Sequence, residues 1–210
     1  MQPRQLLDVL SVAERLKDVT RHCYTSGGRH ESVAEHCWMA CLMAFLMKED
    51  FPEVDMDKVI RMLIIHDLGE AFTGDIPVFD KTAADEEKET QLLHTWVRSL
   101  PKEKAEEMLA LYQEMDARET AEAKLYKALD NLEAVAQYNL SDISTWMPNE
   151  YELNQTYGWE RVKFSPWLTQ LREELRKDTV KKIEEEKQED RKSTRLNSSH
   201  VALSRMPSSA

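Results

Sequence analysis

The sequence predicts an all-α protein, and three observations carry that prediction. Only 5 glycines and 7 prolines interrupt 210 residues rich in alanine, leucine, glutamate, lysine and methionine, all good helix formers. Apolar residues recur at helical spacing through most of the chain. No segment alternates apolar with polar as a half-buried strand does, and there is no internal repeat. At this length the chain forms one domain, assigned to residues 1–190, with room for a sizeable core.

The elements follow in order. Residues 5–18 place Leu6, Leu7, Leu10 and Leu16 at roughly helical spacing. The polar, glycine-containing stretch "TRHCYTSGGRHE", Thr20 to Glu31, reads as a loop. Ser32-Val33-Ala34-Glu35 resembles a capping box, so a helix is expected from there to about Lys48, with His36 in its opening turn. Asp55 to about Phe72 reads as a buried helix, because "VIRMLIIHDLGE" is apolar around almost its whole circumference; Gly74 and Pro77 in "TGDIP" end it. Three further helices are expected over 84–99, 102–115 and 121–139, with Pro101 and Glu119-Thr120 in the short connectors. Residues 148–166 are aromatic and polar without a clear period, and a last helix is expected over 167–187. The segment 191–210 has no acidic residue, is rich in serine and lacks an apolar face; it reads as a disordered or artefactual tail.

Charge and cysteine content narrow the function. A net charge of -11 offers no basic footprint for a nucleic-acid polymer or an anionic membrane. The longest apolar run, Cys37 to Met47, is too short to span a bilayer. Met1-Gln2-Pro3-Arg4 leads into an amphipathic stretch and not a secretory leader, and three cysteines give no disulfide framework. A reduced, cytoplasmic protein is therefore expected. Cys37 and Cys41, one turn apart, read as small core-facing residues and not as a metal pair.

The chemistry concentrates in "IIHDLGE". Burying an ionised carboxylate costs on the order of several kcal/mol unless something pairs with it, comparable to the net stability of a domain. His66 and Glu70 lie four apart and Asp67 and Glu70 three apart, so they share one side of a helix. One imidazole and one carboxylate make half of a divalent-metal site, and an ion would offset the cost of burying both. The missing half calls for another imidazole and another carboxylate on neighbouring helices. His36 is one candidate. Asp130, in "YKALDNLEA", is the other, although Lys127 and Glu133 beside it also fit a solvated face.

The order His36, His66-Asp67, Asp130 resembles that of the HD-domain phosphohydrolases. "RHESVAEH", "HDLGEAFTGDIP" and "EAKLYKALDNLEA" are similar to the branch of HD-domain-containing protein 2 and the bacterial 5'-deoxynucleotidases, over roughly residues 5–187. The resemblance implies a compact helical bundle and a divalent ion, Mn²⁺, Co²⁺ or Mg²⁺ with Zn²⁺ as an alternative, held by His36, His66, Asp67 and Asp130. It implies Glu70 as general acid/base or as ligand of a second ion, with Asp75 beside it and the Ile76 carbonyl contributing. Arg21 falls where the nucleotidases bind phosphate. His22 stands where the bacterial enzymes carry a tryptophan that excludes a ribose 2'-hydroxyl, so ribonucleotides are expected to be accepted as well. The implied reaction is hydrolysis of (deoxy)nucleoside 5'-monophosphates by a homodimer. Two rivals are another HD-type hydrolase, acting on cyclic nucleotides, alarmones or triphosphates, and a metal- or nucleotide-binding sensor without turnover. Against the first, dinuclear HD enzymes carry extra histidines between the dipeptide and the last aspartate, and only His94 lies there. Against the second stands the presence of Glu70 and Asp75.

Overall fold

The computed structural model describes residues 1–203, with side chains described through Glu189 and at Lys192. Its helices are α1 (Pro3–Ala13), α2 (Val33–Leu46), α3 (Met56–Ile65), α4 (Glu70–Thr73), α5 (Ala83–Arg98), α6 (Lys102–Ala117), α7 (Ala121–Leu140), α8 (Glu150–Thr156), α9 (Trp159–Val162) and α10 (Pro166–Leu203). Helix α7 is the axis of the bundle, and α2, α3, α6, α9 and α10 all pack on it. Its buried face, with Leu125, Leu129 and Leu132 sealed from solvent, meets Val33, Ala40, Val59, Met62 and Leu63 from α2 and α3. The all-α class stands, and among the described residues no helix is long and apolar enough to cross a membrane.

Several starts and stops follow the sequence closely. Ser32 forms the expected capping box: its hydroxyl accepts from Glu35 N at 3.3 Å, and the Glu35 carboxylate accepts from Ser32 N at 3.0 Å. Arg29 grips Glu35 from outside with two nitrogens. Thr82 starts α5 with the same reciprocal pair, to Asp85, and the Thr120 hydroxyl caps α7 by accepting from Ala123 N.

Three features depart from the sequence reading. First, the stretch read as a loop holds a hairpin of β1 (Thr20–Tyr24) and β2 (His30–Ser32), paired antiparallel. A three-residue strand is too short to show a period of two. Second, the helix expected from Asp55 to Phe72 breaks at His66, and Ile64, expected in the core, is 55% exposed. From Ile65 to Phe72 the backbone tightens into i to i+3 bonds, such as Leu68 N to Ile65 O at 3.2 Å and Glu70 N to Asp67 O at 3.0 Å. Side chains add to the carbonyls of this turn: Leu63 O accepts from His66 Nδ1–H, and Ile65 O accepts from the Tyr112 hydroxyl at 2.7 Å beside its bond from Leu68 N. Gly69 lies within this turn because a Cβ there would stand 2.7 Å from Glu89 Cγ. Third, residues 148–166 hold α8 and α9, and α10 runs beyond the expected helix end at about 187. The expected tail at 191–210 falls largely on side chains, and from 204 on whole residues, outside those described.

Candidate metal and phosphate site

The break at His66 is what assembles the site. In a continuous helix His66 and Asp67 would diverge by about 100°; in the tightened turn both reach one point. His66 Nε2 lies 3.1 Å from Asp67 Oδ2 and 3.2 Å from His36 Nε2. His36 Nε2 lies 3.2 Å from Asp130 Oδ1 and 3.6 Å from Asp67 Oδ2, and His66 Nε2 is 3.6 Å from Asp130 Oδ1. Donors bonded at 2.0–2.2 Å to one ion stand about 2.8–3.6 Å apart when they are adjacent, so His36, His66 and Asp67 fit a shared cation, with Asp130 Oδ1 beside both imidazoles.

Ring tautomers support the same fit. His66 Nδ1–H donates to the Leu63 carbonyl at 2.8 Å, and a carbonyl only accepts, so in the neutral ring Nε2 carries the lone pair. His36 Nδ1–H donates to Glu133. Two lone pairs thus face each other beside two carboxylates, a juxtaposition that calls for positive charge. Burial lowers the His66 pKa, but Asp67, Cys37 and Asp130 reverse this and hold it well above the ordinary value. Burial likewise opposes ionisation of Asp130, yet Lys127 and the two imidazoles hold its pKa well below the usual carboxylate range. Lys127 Nζ donates to Asp130 Oδ2 at 2.6 Å, leaving Oδ1 for the shared point. Two imidazoles and two carboxylates suit a hard or borderline divalent ion.

A second cluster, Glu31, His36 and Glu133, also has ligand spacing, but a cation already occupies it. Arg21 Nη1 donates to Glu31 Oε2 at 2.9 Å and to Glu133 Oε2 at 3.1 Å. The cysteines belong to no such cluster among the described residues.

His36, Asp67 and Asp130 form part of the wall of a cavity of about 240 Å³, scaled to a small molecule and not a polymer. Of the residues singled out by sequence, Arg21, His22, His36, Asp67, Glu70, Asp75, Ile76 and Asp130 line it, and His66 touches the lining residues His36 and Asp67. Glu70 is buried, and its Oε2 has no hydrogen-bond partner. Burial first, then Asp67, Asp75 and Glu89, push its pKa up to about 10. Burial also raises Asp75, against the pull of Arg21. His22 Nδ1 sits 2.8 Å from Glu150 Oε1, off the line of a hydrogen bond, and its ring meets Phe79 edge-on at 5.9 Å. His94 lies away from the cavity against Tyr112. The reading of residues missed Glu31, Glu133, Lys127 and Lys81 as parts of the site. For Glu133 a signal existed: it lies one turn after Asp130 on the same apolar-flanked helix.

Comparison with known proteins places this geometry. The model of the HD domain family matches residues 13–172. The human protein named 5'-deoxynucleotidase HDDC2 is 30% identical over 82% of this chain and 85% of its own length. A solved structure from Magnetospirillum magnetotacticum MS-1, described as a predicted metal-dependent phosphohydrolase, superposes with a TM-score of 0.74 at 30% identity, over 85% of this chain and 93% of that one. The cyanophage S-2L HD phosphohydrolase DatZ, solved with dA and one catalytic Zn²⁺ ion, is 22% identical with a TM-score of 0.52, over 83% of this chain and 96% of that one. That last likeness speaks to the fold alone.

Proposed function

The chain belongs to the HD-domain family, and from that premise we propose that it is a metal-dependent phosphatase that hydrolyses nucleoside 5'-monophosphates, deoxynucleotides among them, to nucleoside and inorganic phosphate. The observation that carries this reading is the meeting of His36 Nε2, His66 Nε2 and Asp67 Oδ2, with Asp130 Oδ1 beside both rings, at a cavity that also presents Arg21. The relatives named 5'-deoxynucleotidase supply the substrate class.

Within it, His36, His66, Asp67 and Asp130 hold the ion. Mn²⁺, Co²⁺ or Mg²⁺ suits the carboxylate-rich set, with Zn²⁺ as the alternative. A divalent ion bound there neutralises phosphoryl charge and makes its bound water acidic near neutrality. Arg21 binds phosphate oxygens and offsets a net charge that would otherwise repel a dianion. Glu70 orients the attacking water or passes a proton to the leaving 5'-oxygen, and its unpartnered Oε2 is available for that. Asp75 and the Ile76 backbone lie on the same wall and steady water or a second ion. Lys127 keeps Asp130 ionised and fixed.

The substrate class is tested by phosphate release from matched panels of 5'- and 3'-monophosphates, each as ribo- and deoxyribonucleotide. Release from the 5'-isomers only is expected, with measurable ribonucleotide turnover because His22 is a smaller gate than tryptophan. Equal release from 3'-isomers contradicts the reading. Turnover confined to cyclic nucleotides, alarmones or triphosphates would move the function to the rival class.

Removing the ion is expected to destabilise the protein as well as silence it. An ion present at 100 times its Kd adds about 2.7 kcal/mol to the native state, which for a chain of this size lowers Tm by about 5–10 °C on chelation. Thermal unfolding with and without chelator measures this. An unchanged Tm, in protein first shown to contain metal, contradicts it.

We also propose a cytoplasmic homodimer. Beyond His36, helix α2 is apolar on every side, and Trp38 and Phe45, two turns apart, are 61% and 65% exposed beside Leu46 at 70%. Such a helix is normally covered. Trp38→Glu is expected to give a monomer by light scattering, and a monomeric wild type contradicts the assembly.

A further inference from the structure

Glu133 has no place in the scheme above, yet it is a fully buried carboxylate beside the cavity. It lies on α7 with no exposed surface, one turn beyond Asp130. Its Oε2 accepts from two donors far away in sequence: His36 Nδ1–H, 97 residues earlier, and Arg21 Nη1, 112 residues earlier at 3.1 Å. Its other oxygen has no partner. One oxygen therefore fixes both a ring that would hold the ion and a guanidinium that would hold the phosphate.

An isolated buried carboxylate is costly, so a position of this kind persists where its donors need it. Glu133 supplies three things at once. It commits His36 Nδ1 as the protonated nitrogen, which leaves the Nε2 lone pair directed at Asp67 and Asp130. It makes His36 a more basic donor through a charge-assisted hydrogen bond. It also locks the Arg21 side chain at the cavity wall, so that little rotamer freedom is lost when phosphate binds. Glu31 provides a contrast within the same protein. It holds the same Arg21 nitrogen at 2.9 Å and accepts from Cys23 Sγ at 3.3 Å, and no hydrogen bond joins it to His36.

We infer that Glu133 is a positioning residue that couples ion binding to phosphate binding, by holding His36 and Arg21 on a single carboxylate oxygen. The inference rests on the reading of His36 as an ion ligand and Arg21 as a phosphate ligand, and its test does not depend on turnover.

The test titrates metal-free protein with Mn²⁺ alone, and then Mn²⁺-saturated protein with inorganic phosphate, by calorimetry. Glu133→Gln keeps the shape and removes the charge. It is expected to weaken Mn²⁺ by about 10- to 100-fold, the usual effect of losing the partner of a ligating histidine. Phosphate should weaken about tenfold, the cost of one charge-assisted hydrogen bond. Glu31→Gln is expected to weaken phosphate while leaving Mn²⁺ affinity within about twofold, because its loss leaves the His36 hydrogen bond in place. If Glu133→Gln does not fold, Glu133→Asp keeps the buried charge, withdraws the oxygen from both donors and reads the same two constants. Wild-type Mn²⁺ affinity in a folded Glu133 variant overturns the inference. So does an equal loss of Mn²⁺ affinity in the Glu31 and Glu133 variants, which would mark a general field effect. A wild type inert on all nucleotides that still shows the Glu133 pattern would sink the proposed reaction and leave the coupling standing.

Discussion

Asp67→Ala is expected to abolish both ion binding and phosphate release, and Asp67→Asn to do little better. Asp67 Oδ2 stands 3.1 Å from His66 Nε2 and 3.6 Å from His36 Nε2, so it is one of two anionic donors at the shared point. Removing it leaves two imidazoles and one carboxylate. That carboxylate is already half-committed, because Lys127 donates to Asp130 Oδ2. The charge available to hold a divalent ion then falls from two to one, in a buried place where charge balance dominates affinity. Loss of the ion removes both the acidic water and the charge neutralisation, so the rate falls by more than the roughly 10²–10⁴-fold of a single acid/base residue. Metal analysis alongside phosphate release checks this. Full metal content together with low activity would show that Asp67 acts on the substrate and not on the ion.

Glu70→Gln separates the two functions. Glu70 lies beyond the shared point, on the first turn of α4, where the shape of the break aims it into the cavity wall. The substitution is nearly isosteric and removes the negative charge together with the capacity to exchange a proton. Ion binding at His36, His66, Asp67 and Asp130 is expected to persist, while the rate falls roughly 10²–10⁴-fold. The carboxyl's pKa, raised to about 10 by burial and by Asp67, Asp75 and Glu89, belongs to a crowd of negative charge that a divalent ion would draw down. A Glu70→Gln protein with undiminished metal-dependent turnover removes Glu70 from the proton chain.

Much of this was legible in the sequence, for physical reasons that differ by residue. Ser32 and Glu35 announced the start of α2 because a capping box is local chemistry. His66-Asp67 stood out because charge inside an apolar run demands compensation. His36 and Asp130 needed the resemblance to a family, since one histidine after a cap and one aspartate among lysines and glutamates have ordinary explanations. The turn at His66–Gly69 was hidden, because the apolar pattern continues through it; only the Tyr112 hydroxyl and the Glu89 side chain, both distant in sequence, show why the helix yields there. Glu133 and Lys127 read as a solvated face for a related reason. Their partners are Arg21, His36 and Asp130, and two of those three come from elements about 100 residues away. Ile64 looked like core and is exposed, because helix periodicity cannot say which side of an all-apolar helix is covered.

The most direct test strips the wild-type protein of metal, reloads it with Mn²⁺, Co²⁺, Mg²⁺ or Zn²⁺ one at a time, and follows phosphate release from deoxynucleoside 5'-monophosphates. The expected result is no release without metal, and restored turnover with at least one ion bound in a 1:1 ratio that Asp67→Ala does not support. Stoichiometric ion binding without release from any deoxynucleoside 5'-monophosphate, under every ion tried, would contradict a phosphatase and favour a metal-binding sensor.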